Sequence, residues 1–399
     1  MFYPCAMDII DPVQLTRELI RRPSVTPKDE GALDVLIERL TPLGFQCHDL
    51  TFPGPGQPHS DGAPVRNLFA QRGQSGPHFC FAGHTDVVPS GAEEEWRHPP
   101  FSAEIEDGAI WGRGAVDMKG AIAAFVSATS RVLADDAFPG TISLMITGDE
   151  EGPAVNGTKK ILDWLEAANI RFDHCLVGEP TSVETLGDMI KVGRRGSVNC
   201  WLTVFGVQGH VAYPHRASNP IPALLRKLLR LSETPLDDGY PRFQPSSLQI
   251  TDIHIGNEAH NVIPSKATAR FNIRFNPTWT GDALETWLRR QIDDVAEGLK
   301  YDLSCVVSGE AFLTTDDTFI DLLRNEVKDR TGQDPDPSTS GGTSDARFIR
   351  SMAPVVEFGL VGESMHKTDE HAVIADIQRL TDVYEGIIRR YFAAEWPGR

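Results

Sequence analysis

Three shortages bound this chain before any motif is read. The 399 residues include six cysteines, at positions 5, 47, 80, 175, 200 and 305, and no two form a Cys-x-x-Cys pair. Scattered in this way they read as reduced, mostly buried thiols of a cytoplasmic protein, not as a thiolate zinc site. No apolar run approaches the roughly 18 residues of a membrane helix, so no membrane partner is expected. The opening MFYPCAMDIIDPVQL lacks a basic region followed by a long apolar stretch. No signal peptide is therefore expected, and Met7 stands beside Met1 as a possible initiator. Basic residues are also short: 38 Lys and Arg against 56 Asp and Glu leave a formal charge of −18. That excludes a general nucleic-acid surface, but not a small anionic substrate held by a few local arginines.

Familiar nucleotide and serine-hydrolase signals are missing too. GPAVNGTKK (152–160) resembles a phosphate loop, but Thr158 stands where the lysine should follow the second glycine. WGRGAVDMKG (111–120) lacks the third glycine of a dinucleotide fingerprint, and no Gly-x-Ser-x-Gly elbow occurs.

What is present is strand–helix alternation. HFCFAGHTDV (78–87), TISLMIT (141–147) and, more weakly, DHCLVGEP (173–180) read as buried strands. Between them, residues 118–135 and 156–170 show helical periodicity. The expectation is an α/β fold with a doubly wound, mostly parallel sheet, whose ligands gather at the carboxyl ends of the strands. From about residue 195 the texture becomes strands around two helices, PIPALLRKLLRLSE and TGDALETWLRRQIDDVAEGL. From about residue 309 the α/β texture returns. The division expected is a discontinuous catalytic domain, 1–195 and 309–399, with an α+β domain at 196–308 inserted. The Pro/Gly-rich PGPGQPHSDGAP (53–64) reads as a surface excursion.

Each main strand signal of the α/β part ends in a metal-binding side chain. His84 and Asp86 lie in GHTDVVP, Glu150 and Glu151 in GDEEG, and Glu179 in VGEP; Asp117 lies in GRGAVDMKG and His366 in MHKTDE. Nitrogen and carboxylate donors without thiolate suit zinc, manganese or cobalt. The number of donors suits two ions roughly 3.5–4 Å apart sharing a carboxylate. Asp86, two residues after His84, is placed to accept the imidazole's other N–H. Adjacent side chains at a strand end point opposite ways, so one of Glu150 and Glu151 is read as a ligand and the other as a general base. Residue patterns do not decide which is which.

Taken together and in this order, GHTDVVP, GRGAVDMKG, GDEEG, VGEP and MHKTDE resemble the dizinc aminoacylase and carboxypeptidase-type metallopeptidase superfamily. The resemblance implies Asp117 as the bridge between two Zn2+, with Co2+ able to substitute. It implies His84 and Glu179 on one ion and Glu151 and His366 on the other. Glu150 becomes the general acid/base, Asp86 the carboxylate behind His84, and the Asp117–Met118 peptide is expected cis. The inserted domain is implied to dimerise the protein, with His210 of GVQGHVAYPH completing the partner's active site and Tyr213 beside it.

Within that superfamily RRGS (194–197), NVIP (261–264), RFNIRF (270–275), SGGTSDARF (340–348) and MHKTDE resemble the branch that hydrolyses N-succinyl-LL-2,6-diaminopimelate to succinate and LL-2,6-diaminopimelate, and the resemblance implies that activity. Arg194, Asn261, Arg274, Gly342 and Thr343 are then implied substrate contacts. Guanidinium forks suit a substrate carrying three carboxylates. Acetylornithine deacetylases and aminoacylases of the same superfamily stay open as alternatives, as does a metal-free binding protein on the same fold.

Overall fold

The structure, a computed structural model, describes residues 9–53, 64–134, 139–295 and 298–396. Most of the 53–64 excursion and the chain start around Met1 and Met7 lie outside the described residues. The chain divides into two compact units, one of Met1–Val192, Thr314–Ser338 and Ser344–Arg399, the other of Gly193–Leu313 and Thr339–Thr343.

In the first unit, an eight-stranded sheet runs in the order Gln46–Phe52, Val65–Arg72, Thr141–Thr147, His78–His84, His174–Val177, Val355–Glu357, Met189–Lys191, Asp336–Ser338. His78–His84 pairs in parallel with both Thr141–Thr147 and His174–Val177. All seven residues of His78–His84, and all seven of Thr141–Thr147, are buried. That two-sided burial is why these strands read as continuous apolar runs and not as alternating ones. Helix Gly120–Ala134 crosses between the first two of these strands and Thr158–Ala167 between the second and third. Gly120–Ala134 packs against the last helix, Ile374–Ala393. The Phe81 ring stacks on Phe125 at 4.2 Å, and Tyr384 meets both edge-on.

The chain steps from His78–His84 to one neighbour and then back across it to the other. The carboxyl ends of these three strands thus flank a reversal of winding, where α/β sheets place their ligands. Two details differ from expectation. The strand that begins at 78 stops at His84, because Thr85–Val87 turn away to bond Ser24 and Thr147. The antiparallel pair Gln46–Phe52 and Val65–Arg72 also extends the sheet; its mixed polar composition gave little strand signal.

The second unit is an antiparallel sheet ordered Ser247–His254, Lys266–Phe275, Gly196–Phe205, Tyr301–Gly309. Along Lys266–Phe275 the residues Ala267, Ala269, Phe271, Ile273 and Phe275 are buried, while those between them are not. The buried set packs with Ala223, Leu224, Leu228 and Leu231 of helix Pro220–Glu233 and with Leu284, Trp287, Leu288 and Ile292 of helix Gly281–Asp293. Asn219 caps the first helix, with Pro220 at its first position, and Thr280 caps the second. The second helix ends at Asp293, short of the helical pattern drawn to residue 299. The strand Tyr301–Gly309 was not anticipated, although Leu303, Cys305 and Val307 keep its period of two.

Candidate metal and catalytic site

Two glycines make room for the site. A Cβ on Gly83 would lie 2.6 Å from the Met118 methyl, and one on Gly178 2.8 Å from it. Met118 therefore lodges against the ends of two parallel strands only because both positions are bare. The Asp117–Met118 peptide is cis, as the resemblance implies, and Asp117 is buried at the same strand ends.

Asp117 faces a different histidine with each oxygen. Its Oδ1 lies 3.1 Å from His84 Nε2, and its Oδ2 lies 3.2 Å from His366 Nε2. His84 Nε2 is 3.8 Å from Glu179 Oε1, and His366 Nε2 is 2.8 Å from Glu151 Oε1. Donor atoms of His84, Asp117 and Glu151 lie within 4.8 Å of one another, as do those of His84, Glu150 and Glu179. Asp117 thus sits between a His–Glu pair on each side, and Glu150 borders the His84 side.

Two positions differ from the sequence reasoning. Glu150 and Glu151 do diverge, but not through strand pleating, because the strand has ended at Thr147. They lie in a turn whose backbone is held by Asp86, whose two carboxylate oxygens accept the N–H groups of Glu150 (3.2 Å) and Glu151 (3.0 Å). The Asp86 carboxylate faces the imidazole as an ion-pair partner but does not take its hydrogen bond. His84 Nδ1 meets the main-chain carbonyl of Asp86 at 2.9 Å, with the carboxylate 3.7 Å away. Asp149, the first acid of GDEEG, is no ligand either; its Oδ2 accepts from the N–H groups of Val155 and Asn156 at 2.8 Å and ties down the following loop.

The electrostatics fit a cation site. Burial would discharge His84, but Asp117, Glu179 and Glu150 hold its pKa well above the ordinary range. Hydrogen bonds to Asp117 and Glu151 raise His366 to about 10. Burial raises the Glu150 carboxyl, and Glu179 and Asp345 raise it further. Burial lifts Asp86 to about 7, against the pull of His84. Asp117 is opposed by burial, but the two imidazoles hold it below its usual value. Carboxylates this crowded in a buried place stay charged only beside cations. Two divalent ions would supply that charge, and the imidazole and carboxylate donors suit borderline metals.

Sequence reasoning passed over three residues. Glu370, buried at 1% exposure, pairs with Arg113 at 2.7 Å and accepts the N–H groups of Val116 (3.1 Å) and Asp117 (3.3 Å). It anchors the turn that carries Asp117; its place at the end of MHKTDE was the available signal. Asp345, within SGGTSDARF, is buried and accepts from the Thr158 hydroxyl at 2.6 Å. Arg195, beside Arg194, was not singled out.

The remaining predicted contacts lie in the second unit, where two groups form. His210 pairs with Val262, and Val211 donates to the carbonyl of Asn261 at 3.0 Å; the rings of His210 and Tyr213 are 5.8 Å apart. His210, Tyr213 and Asn261 are exposed. In the other group, Arg194 donates to the carbonyl of Gly342 at 3.2 Å, next to Thr343. Arg274 lies close enough to Arg195 that the two charges repel, and burial with that repulsion lowers the Arg274 pKa. Arg274 Nη1 and Arg195 Nε are buried with no hydrogen-bond partner among the described residues.

The sequence profile of peptidase family M20/M25/M40 matches residues 80–390. A succinyl-diaminopimelate desuccinylase of Parvibaculum lavamentivorans is 54% identical over 385 residues, 96% of both chains. One of Rhodospirillum centenum is 54% identical over 388 residues, 97% of this chain and 99% of its own. Among solved structures, a dinuclear metal binding peptidase from the M20 family of Bacillus subtilis superposes with a TM-score of 0.72 at 15% identity, over 96% of this chain and 98% of its own.

Proposed function

The chain belongs to peptidase family M20/M25/M40, and on that premise we propose that it hydrolyses N-succinyl-LL-2,6-diaminopimelate to succinate and LL-2,6-diaminopimelate. The observation that carries this reading is the 54% identity, over 96% of both chains, to a relative named for that reaction. The site supports it with imidazole and carboxylate donors gathered around Asp117, His84 buried on one side and His366 open to solvent on the other.

Two Zn2+ ions, replaceable by Co2+, would be held by His84, Asp117 and Glu179 and by Asp117, Glu151 and His366, and would supply Lewis-acid polarisation and a lowered water pKa. Glu150 is the general base: it removes a proton from the attacking water and returns it to the leaving amine. Asp86 fixes where that carboxylate starts, through the main-chain N–H of Glu150. The second unit makes the protein a homodimer. His210 of the partner subunit donates to the oxyanion, and Arg194, Arg195 and Arg274, with Tyr213, Asn261 and the Gly342–Thr343 loop, hold the substrate's carboxylates. The reaction takes place in the cytoplasm.

The test is succinate release from N-succinyl-LL-2,6-diaminopimelate by metal-stripped protein titrated with zinc, with N-acetylornithine in parallel. Zinc-dependent release from the succinyl substrate alone is expected. Turnover of the acetyl substrate alone would move the protein to a sister activity, and bound zinc with no turnover of either would overturn the reading. Glu150→Gln should lose roughly 100- to 10,000-fold in turnover with metal content kept, whereas Asp117→Asn should lose metal as well.

A further inference from the structure

Two pairs of cysteines face each other across strand pairs, and only one of them is within reach of solvent. In the second unit Cys200 and Cys305 stand directly opposite on adjacent antiparallel strands, with Sγ atoms 2.9 Å apart. Opposed residues of antiparallel strands have Cα atoms about 4.5–5.5 Å apart, inside the span a disulfide bridges. Both thiols are free. Cys200 is buried at 1% exposure, while Cys305 is only partly buried.

The two thiols are unequal. The hydrogen bond between the two thiols holds Cys305 below its ordinary pKa, against burial and the Glu285 carboxylate, with the Arg289 guanidinium adding a smaller lowering. Cys200 is pushed the other way by that contact and by burial. The thiolate is the reactive form, and reactive cysteines combine thiolate character with access.

We propose that Cys200 and Cys305 form a peroxide-sensitive dithiol site. The Cys305 thiolate attacks one oxygen of a small hydroperoxide and breaks the O–O bond. This gives the Cys305 sulfenic acid and releases hydroxide, or alkoxide from an organic peroxide. Cys200 then attacks the sulfenic sulfur; the S–S bond forms, the S–O bond breaks, and the thiol proton leaves with the hydroxyl as water. Two thiols are oxidised by two electrons and one peroxide is reduced. The bond would tie the middle of Gly196–Phe205 to Tyr301–Gly309, an edge strand of its sheet.

Cys80 and Cys175 provide an internal control. They are opposed in the register of His78–His84 and His174–Val177, but both are 0% exposed. Proximity without access predicts no reaction there.

The experiment treats the metal-loaded full-length protein with hydrogen peroxide at a few equivalents, blocks remaining thiols with N-ethylmaleimide, and maps peptides without reduction. The expected product is a peptide joining Cys200 to Cys305 within one chain. It should lack two hydrogen masses, be restored by dithiothreitol, and form at least about tenfold faster than any Cys80–Cys175 link. In Cys200→Ser, Cys305 should be trapped by dimedone as the sulfenic acid. Recovery of Cys200 and Cys305 as separately alkylated peptides, conversion of Cys305 to sulfinic acid before any link appears, or equal reaction at Cys80 and Cys175 would each overturn the proposal. The peptide map needs only the native sequence, so a variant that fails to fold does not weaken it.

Discussion

Replacing Glu370 by glutamine should loosen the proposed metal centre without changing any of the side chains proposed to bind the metal. Arg113 and Glu370 are 3% and 1% exposed and 2.7 Å apart. Burial raises the Glu370 carboxyl and Arg113 pulls it back; a permanently charged guanidinium in so dry a place argues for the ionised pair. Breaking a buried pair by removing one partner costs roughly 3–5 kcal/mol. Two features reduce that here. Glutamine keeps an oxygen that can accept the N–H groups of Val116 and Asp117. Arg113 also keeps the carbonyls of Lys367 (3.2 Å) and Pro89 (3.4 Å) and its place over the Trp96 ring. We therefore expect a loss of about 2–3 kcal/mol. Glu370→Ala, which removes the acceptor as well, should lose more. The assay is urea unfolding of metal-free protein, read alongside amide hydrogen exchange over residues 112–119. Zinc affinity, measured by competition with a chelating dye, should fall roughly 10- to 100-fold, the usual effect of removing a group that orients a ligand. A Glu370→Gln protein with unchanged exchange at 112–119 and unchanged zinc affinity would refute the idea that Glu370 positions Asp117.

Two other expectations follow from the charges. In metal-free protein His366, raised from 6.5 to about 10, contributes stability while protonated and loses it as pH rises through that window, whereas Lys119, lowered by burial to about 7, acts the opposite way over much of the same range. The stability margin of the native protein over His366→Gln should therefore fall between about pH 6.5 and 10. Melting temperatures at stepped pH check this, and the metal-loaded protein should lack the fall, since only the neutral ring binds a metal. Arg274→Met should raise KM for the succinyl substrate roughly 10- to 100-fold, the loss of one charge-assisted contact, with a smaller change in kcat; an unchanged KM would remove Arg274 from the carboxylate anchors.

The parts legible in the sequence were those with a strong period or a rare residue in a fixed place. His78–His84 and Thr141–Thr147 were visible because both faces are buried, and Pro220–Glu233 because its Asn219–Pro220 start and apolar stripe agree. His84, Glu150, Glu151 and Glu179 were visible as candidate ligands because a histidine or carboxylate after a buried strand has no packing reason to be there. What stayed hidden depends on main-chain contacts between distant segments. The Asp86 carboxylate, 64 and 65 residues before its partners, takes its hydrogen bonds from the backbone of Glu150 and Glu151 and not from the neighbouring ring. Glu370 reaches back 254 residues to the N–H of Val116. No local pattern encodes where an amide will be left without a partner, so side chains that serve amides look the same in sequence as side chains that serve solvent. The same reasoning separates GDEEG into three jobs: Asp149 holds a loop, Glu151 meets His366, and Glu150 is left as the one acid of the three with neither an amide nor an imidazole bonded to its side chain in the described contacts. A carboxylate held close by its backbone but uncommitted at its oxygens is what a group that must both take and give a proton requires.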